Sequence, residues 1–426
     1  MRSFLSSLNP RLPREVQLLQ LGGLMNAFGN GLVVPFLLIY LHNDRGIGLG
    51  IAGLVLATNA GVSLVAGPVA GALVDRVGGK LMLTAALGFL TVGFAGYAFV
   101  ESPAHGFLAS AVTGIGNGAF WPAQSTLIAG LTTRAQRSAT FAMQRVVMNL
   151  GIGLGGVAGG FIAMESFRAL FLLDALTFVA YAGVLTVFVH DPGRQEPRAE
   201  RAGSYRTVFR HKIFMALMAA NALYIGAGIA QLEILPAFAK NEAGVSERGI
   251  GWLFLINTMV VVLFQLPTTK LIEGRRRVPF LALVGVVSAA AWLLVPASGL
   301  WLAGAGAFAL LAAAVMVFAV GECLHGAVQP ALVVDLADPR LIGRYMAISA
   351  LSWQVGFTIG PAAGGVLLAA SPTGLWLVMA AVLVAGGLAT LALERGLPEE
   401  ARLTPSSAQP EAPVPLPTGS APARAR

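Results

Sequence analysis

Charge, cysteine and metal-binding side chains are all scarce in this chain. Only 11% of its 426 residues are Asp, Glu, Lys or Arg, against about a quarter in ordinary globular domains. The mean hydropathy is +0.75, so water cannot be the solvent for most of the polypeptide. A single cysteine, Cys323, excludes an intrachain disulfide framework and a cysteine-rich metal site, and it reads as a small packing residue. The five histidines, His42, His105, His190, His211 and His325, lack metal-ligand spacing, and only His325 falls near the interior of an apolar run. No Walker-type phosphate loop is present, which argues against ATP hydrolysis. Gly151-x-Gly153-x-x-Gly156 spells a dinucleotide fingerprint, but no strand precedes it and it lies within an apolar run. No clustered nucleophile or histidine–carboxylate set suggests an enzyme. The net charge of +8 does not imply nucleic acid either, because the basic residues are scattered one to four at a time between apolar runs.

What the chain has in abundance is apolar runs. They fall near residues 15–41, 48–74, 81–100, 104–131, 138–164, 167–189, 213–239, 248–272, 278–297, 300–329, 343–370 and 372–393. A hydrocarbon core of ~30 Å takes about 20 residues per helix, so the pattern predicts an all-α membrane protein of twelve transmembrane helices. The segment before the first run is polar and contains proline, without a cleavable signal, so that run is expected to be a retained helix. The longest polar break, residues 191–212, divides a predicted N-terminal six-helix bundle (1–190) from a C-terminal one (213–395). The remainder, 396–426, is rich in Pro, Ala and Ser and is expected to be a disordered tail.

Orientation follows from the 28 Lys and Arg, since positive charge stays cytoplasmic. The N-terminus, the even-numbered connections and the tail hold 23 of them, the odd connections hold four (Arg45, Arg168, Lys240, Arg248), and Arg145 lies inside a span. Both termini are therefore expected on the cytoplasmic face of the cell membrane. The halves also repeat one another: Gly151-Ile-Gly-Leu-Gly155-Gly156-Val-Ala-Gly159-Gly160 and Gly356-Phe-Thr-Ile-Gly360-Pro361-Ala-Ala-Gly364-Gly365 share five identities in ten at an offset of 205. Parallel repeats of this kind place a substrate near the membrane midplane, between the halves.

Span two closes on Gly71-Ala-Leu-Val-Asp75-Arg76-Val-Gly78-Gly79-Lys80. This resembles the Gly-x-x-x-Asp-Arg-x-Gly-Arg-Lys signature of the major facilitator superfamily, with Gly79 in place of a base. Gly71 would permit close helix contact, Asp75 could meet a helix N-terminus or a base of the other half, and Gly78 allows a sharp reversal. The resemblance implies a cytoplasmic gate made of Gly71, Asp75, Arg76, Gly78 and Lys80. It extends over residues 15 to 395 and is closest to the drug–proton antiporter group, through Asn26-Ala-Phe-Gly-Asn30 with Pro35 and Tyr40, and through Gly321-Glu322, Gln329-Pro330, Asp335 and Gly343-Arg344-Tyr345. Two positions depart from that group. Gly114-Ile-Gly-Asn117-Gly118 stands where Arg-x-x-Gln-Gly is usual, and Gly156 replaces the proline of the span-five motif.

Ionisable residues inside spans are costly and mark function. Arg145, Asp174, Glu233 and Glu322 are the candidates for proton coupling or transport. Arg145, beside Gln144 and one turn before Asn149, could replace the missing span-four arginine. Glu233 and Glu322 are carboxyls able to load and release a proton. Asp174, near Arg168, reads rather as half of a structural salt bridge. Asn26, Asn30, Gln144, Asn149, Gln231, Asn257, Trp353 and Gln354 are candidates to line a polar cavity, although amides also hold membrane helices together. Trp121 could stack on an aromatic ligand, whereas Trp301 and Trp376 read as interface anchors.

The expected protein is a monomeric facilitator-type transporter in the bilayer, with no cofactor, driven by the proton gradient. It would export small amphipathic or cationic compounds by alternating access. The alternative is import or export of one metabolite or lipid-like molecule on the same scaffold.

Overall fold

The computed structural model describes residues 12–132, 134–191, 205–338 and 341–403; a few side chains within these, those of Asp75 and Arg145 among them, lie outside the description. The expected disordered stretch from 404 onward and most of the linker also lie outside it.

The described chain is helical, with one isolated β-bridge between Arg276 and Leu403. Its long helices are α1 (Arg14–Val33), α2 (Leu49–Val77), α3 (Gly79–Tyr97), α4 (Pro103–Leu131), α5 (Arg134–Glu165), α6 (Phe167–Phe188), α7 (Lys212–Ala227), α8 (Glu247–Ile272), α9 (Arg277–Leu300), α10 (Gly304–Leu336), α11 (Ile342–Ala370) and α12 (Pro372–Leu393). Eleven segments among the described residues are long and apolar enough to cross a membrane. Helix α4, 29 residues and uncharged, packs among them but is made less apolar by Asn117, Pro122 and Gln124.

Local chemistry sets the helix ends. Ser102, Ser166, Ser246 and Ser371 cap α4, α6, α8 and α12, each hydroxyl accepting from the backbone N–H three residues on. The seventh apolar run, expected as one helix over 213–239, is broken. The backbone leaves the helical region at Gly228 (φ −107°, ψ −91°), runs through a 3₁₀ turn, Ile229–Glu233, and resumes as a short helix, Leu235–Asn241. Gln231, buried at the break, donates from Nε2 to Gly226 O (2.7 Å), a carbonyl that the broken ladder frees, and to Gly360 O of α11 (3.1 Å).

Packing repeats with a period of six helices. The pairs α1·α5, α1·α6, α2·α4, α3·α4 and α3·α6 recur as α7·α11, α7·α12, α8·α10, α9·α10 and α9·α12. The principal contacts between the two sets are α2·α11 and α5·α8, which are themselves equivalent. Glycines make both crossings close: a Cβ at Gly53 would strike Pro361 and Gly365, and one at Gly251 would strike Gly156.

Two expectations need correction here. Trp376 is not an interface anchor: it is fully buried, tilted against Trp292 at 5.1 Å and edge-on to Phe238, because that end of α12 faces its own bundle. Trp301, 80% exposed, is placed as an anchor would be. The chain also stays folded beyond residue 395, since Leu397 is buried, Arg402 Nε donates to Leu397 O (2.9 Å), and Leu403 bridges to Arg276. Arg276 in turn pairs with Glu394 at 2.9 Å, holding this segment to the start of α9.

Candidate functional site

A central cavity of about 1500 Å³ lies between the two sets of helices. Helices α1, α2, α4, α5, α8, α10 and α11 supply most of its walls, together with the 3₁₀ turn that carries Glu233. At one end backbones close it, where Gly160 abuts Glu247 and Arg248, and Gly365 abuts Leu49 and Gly53. Toward the other end its lining residues are exposed: Trp121, Met346, and Tyr205 and Phe209 of the short helix Tyr205–Arg210, which precedes α7. The cavity is thus shut at the end of the odd-numbered connections and accessible from the end that carries the linker.

Of the expected cavity residues, Asn30, Asn149, Asn257, Trp353 and Gln354 line it, as does Trp121. Glu233 and Glu322 line it as well, from turn and helix on the same side of the molecule. Asn257 Nδ2 donates to Glu322 Oε2 at 2.8 Å, and Glu233 has no ion-pair partner among the described residues.

Three amides do not line the cavity. Gln144 donates to Gln124 Oε1 (2.7 Å), whose Nε2 donates to Tyr181 Oη (3.1 Å), so it ties α5 to α4 and α6. Gln231 braces the helix break, and Asn26 is buried on the face of α1 that packs against neighbouring helices. Burial away from the cavity makes all three packing groups. The expected Asp174–Arg168 salt bridge is absent. Arg168 lies over the Phe99 ring at 4.3 Å, whereas Asp174 is fully buried against Gly29, outside the cavity, and accepts from Thr177 Oγ1 at 3.3 Å.

The span-two motif is only partly engaged. Gly78 adopts φ +89°, the sharp reversal expected of it, and Lys80 Nζ donates to Thr186 O (3.0 Å) and Val189 O (2.7 Å) at the end of α6. Arg76 is exposed. Gly71, expected at a close helix contact, has nothing within 4 Å of a Cβ position, because this end of the molecule is the open one.

The sequence reading passed over several cavity groups. Asn117 Nδ2 donates to Asn59 Oδ1 (3.1 Å), and Asn59 Nδ2 donates to Thr113 Oγ1 (2.7 Å), an amide chain from α4 to α2. His325 shares a 2.7 Å hydrogen bond with Asn221, which donates to Ser352 Oγ at 2.7 Å. Helical spacing was the available signal: Glu322, His325 and Gln329 form one stripe of α10, and Asn257, Val261 and Gln265 one of α8. The structure also explains the absent span-four arginine. Gly114 sits against Asn59 and Val62 so tightly that even a Cβ would collide with them.

Comparison with known proteins agrees with this architecture. The sequence profile of the Major Facilitator Superfamily matches residues 19–233 and 223–423. An uncharacterized MFS-type transporter, YttB of Bacillus subtilis, is 26% identical over 84% of this chain and 89% of its own. A multidrug resistance protein, MdtH of Aeromonas salmonicida, is 25% identical over 82% of this chain and 86% of its own. In shape the chain is similar to the peptide transporter POT (TM-score 0.77, 14% identity, 90% of this chain and 95% of that one). The nucleoside transporter NupG is similar too (TM-score 0.72, 14% identity, 89% and 100%).

Proposed function

Because the chain belongs to the major facilitator superfamily, we propose that it is a proton-coupled exporter of small amphipathic, cationic compounds, working by alternating access. The observation that carries this reading is the composition of the cavity wall. Two carboxyls, Glu233 and Glu322, stand among aromatic rings (Trp121, Trp353, Phe357), with no Lys or Arg among the described lining side chains. Such a wall attracts organic cations through charge and through the ring faces, and a large apolar volume with a few polar groups tolerates varied shapes. The multidrug resistance relatives at about 25% identity favour the same substrate class.

In this reading α4 also spans the membrane and brings the eleven segments to twelve, residues 1–190 and 213–395 form two six-helix halves, and both termini are cytoplasmic. The described state is then open to the cytoplasm. Protons entering from outside neutralise Glu233 or Glu322, and their release inward is exchanged for outward passage of the substrate. Arg145, one turn from the cavity residue Asn149, takes the coupling role that Gly114 cannot fill. The working unit is a monomer in the bilayer, without a cofactor.

The test is efflux from vesicles under an imposed pH gradient. Changing Glu233 and Glu322 together to Gln abolishes proton-dependent efflux while the protein remains folded. Full proton-dependent efflux by that variant defeats the proposal.

A further inference from the structure

The closed end of the cavity carries a second internal repeat. Asn43-Asp44-Arg45-Gly46 precedes α2 and Asn241-Glu242-Ala243-Gly244 precedes α8, with Asn and Gly at a constant offset of 198. The same offset relates Gly53 to Gly251, the glycines of the two crossings. Both loop glycines have positive φ, +68° at Gly46 and +64° at Gly244, so the two loops turn alike.

The two asparagines bond to each other. Asn43 Nδ2 donates to Asn241 Oδ1 at 2.6 Å, and Asn241 Nδ2 donates to Asn43 Oδ1 at 3.3 Å. A side chain that pairs with its own repeat equivalent sits on the axis relating the two halves. Any opening of this end by rocking about the cavity must therefore part this pair. The ion pairs beside it stay within one half: Lys240 pairs with Glu247 at 2.6 Å, and Arg45 donates to Tyr40 Oη at 2.9 Å and pairs with Asp44 at 3.2 Å. The Asn43–Asn241 contact across the halves is a neutral, reciprocal one.

We propose that Asn43 and Asn241 form an amide clasp that holds this end closed and parts when the cavity opens on that side. Exposed amide hydrogen bonds contribute modestly to a net equilibrium. A clasp of this strength biases the closed state without trapping it, as a cycling transporter requires. The inference concerns the conformational cycle and does not depend on the substrate or on proton coupling.

Charge placed at the two positions tests it. The reporter is Leu37→Cys, on the cavity wall near the closed end, in a Cys323→Ser background. It is labelled in oriented vesicles at pH 7.5 and low salt, from the closed side, with a membrane-impermeant maleimide. Asn43→Asp with Asn241→Asp places two carboxylates where the amides meet, and like charges ~4 Å apart speed labelling by about fivefold or more even in the dielectric of water. Asn43→Asp with Asn241→Lys restores an attraction and slows labelling below that of the parent. Rates unchanged in both variants, or shifted in the same direction, overturn the proposal, since only a contact between these two side chains reverses sign with the charge product.

Discussion

Replacing Gly53 by alanine is expected to weaken the closed end of the cavity. The added methyl would lie 2.5 Å from the Pro361 carbonyl oxygen and 2.9 Å from Gly365 Cα, both backbone atoms that cannot rotate away. A carbon reaches a carbonyl oxygen comfortably at about 3.3 Å or more, so α2 and α11 must separate locally by roughly 1 Å. A gap of that size forfeits a quarter to a half of each dispersion contact along the crossing. Overpacking of this kind costs about 1 to 3 kcal/mol, and it falls on the state in which this end is closed. The ratio of closed to open molecules then drops by roughly five- to 150-fold. Nitroxide labels at Glu101 and Trp301, on connections at the closed end, report the change by double electron–electron resonance as a larger population at long distance. Gly71→Ala is the control, because nothing lies within 4 Å of its Cβ position in this state. A distance distribution unchanged by Gly53→Ala, or changed equally by Gly71→Ala, refutes the reasoning.

Three further outcomes are expected. Asn257→Leu removes the 2.8 Å donor to Glu322; hydrogen bonds to charged groups contribute about 1.5–3 kcal/mol, so vesicle transport falls tenfold or more at unchanged expression. Trp353→Ala weakens binding of aromatic cations by roughly two- to 30-fold, the range of one cation–π contact, and leaves aliphatic cations less affected, as equilibrium binding measures. His211, half-buried at the foot of α7 and 3.0 Å from Tyr345 Oη, has its pKa lowered by burial. Its lowered folded value means that the stability it contributes is present above the unfolded value of ~6.5 and is lost as pH falls through the folded one. Protection factors in residues 205–211, with the intrinsic pH dependence of exchange divided out, therefore fall on acidification, and His211→Phe removes that dependence.

Hydropathy predicted the long helices because each span must bury its backbone polar groups within itself, so length and apolarity are local properties. The break at Gly228 was not legible, since Gly228 is one of 52 glycines and nothing local distinguishes it. What makes it a break is Gln231 reaching Gly360 on α11, a contact between distant parts of the chain. The cavity was legible in type more than in detail. Glu233, Glu322 and Asn257 stand out as costly polar groups in apolar runs, but Gln144 and Gln231 look the same in sequence and serve packing. Which face of a helix looks inward depends on its partners. Reading stripes along α8 and α10, and not single residues, would have recovered His325, Gln265 and Gln329.

The two departures from the antiporter pattern both fall at helix contacts. Gly114 lies where α4 meets α2, against the Asn59 carbonyl, and Gly156 lies where α5 meets α8, against Phe254. At Gly114 the backbones approach too closely for a side chain; the second contact is one between the two sets of helices, and its repeat equivalent, Pro361 against Gly53, carries the proline. Such a chain gives up a cationic group on α4 and gains a tight α2–α4 wall, whose polar face is completed by neutral amides, Asn59 and Asn117. Charge in the described cavity is then concentrated on the opposite wall, at Glu233 and Glu322. Electrostatic attraction for a cation is therefore one-sided, and the proposed cationic substrate, held there, would present its apolar remainder to Trp121 on the other wall.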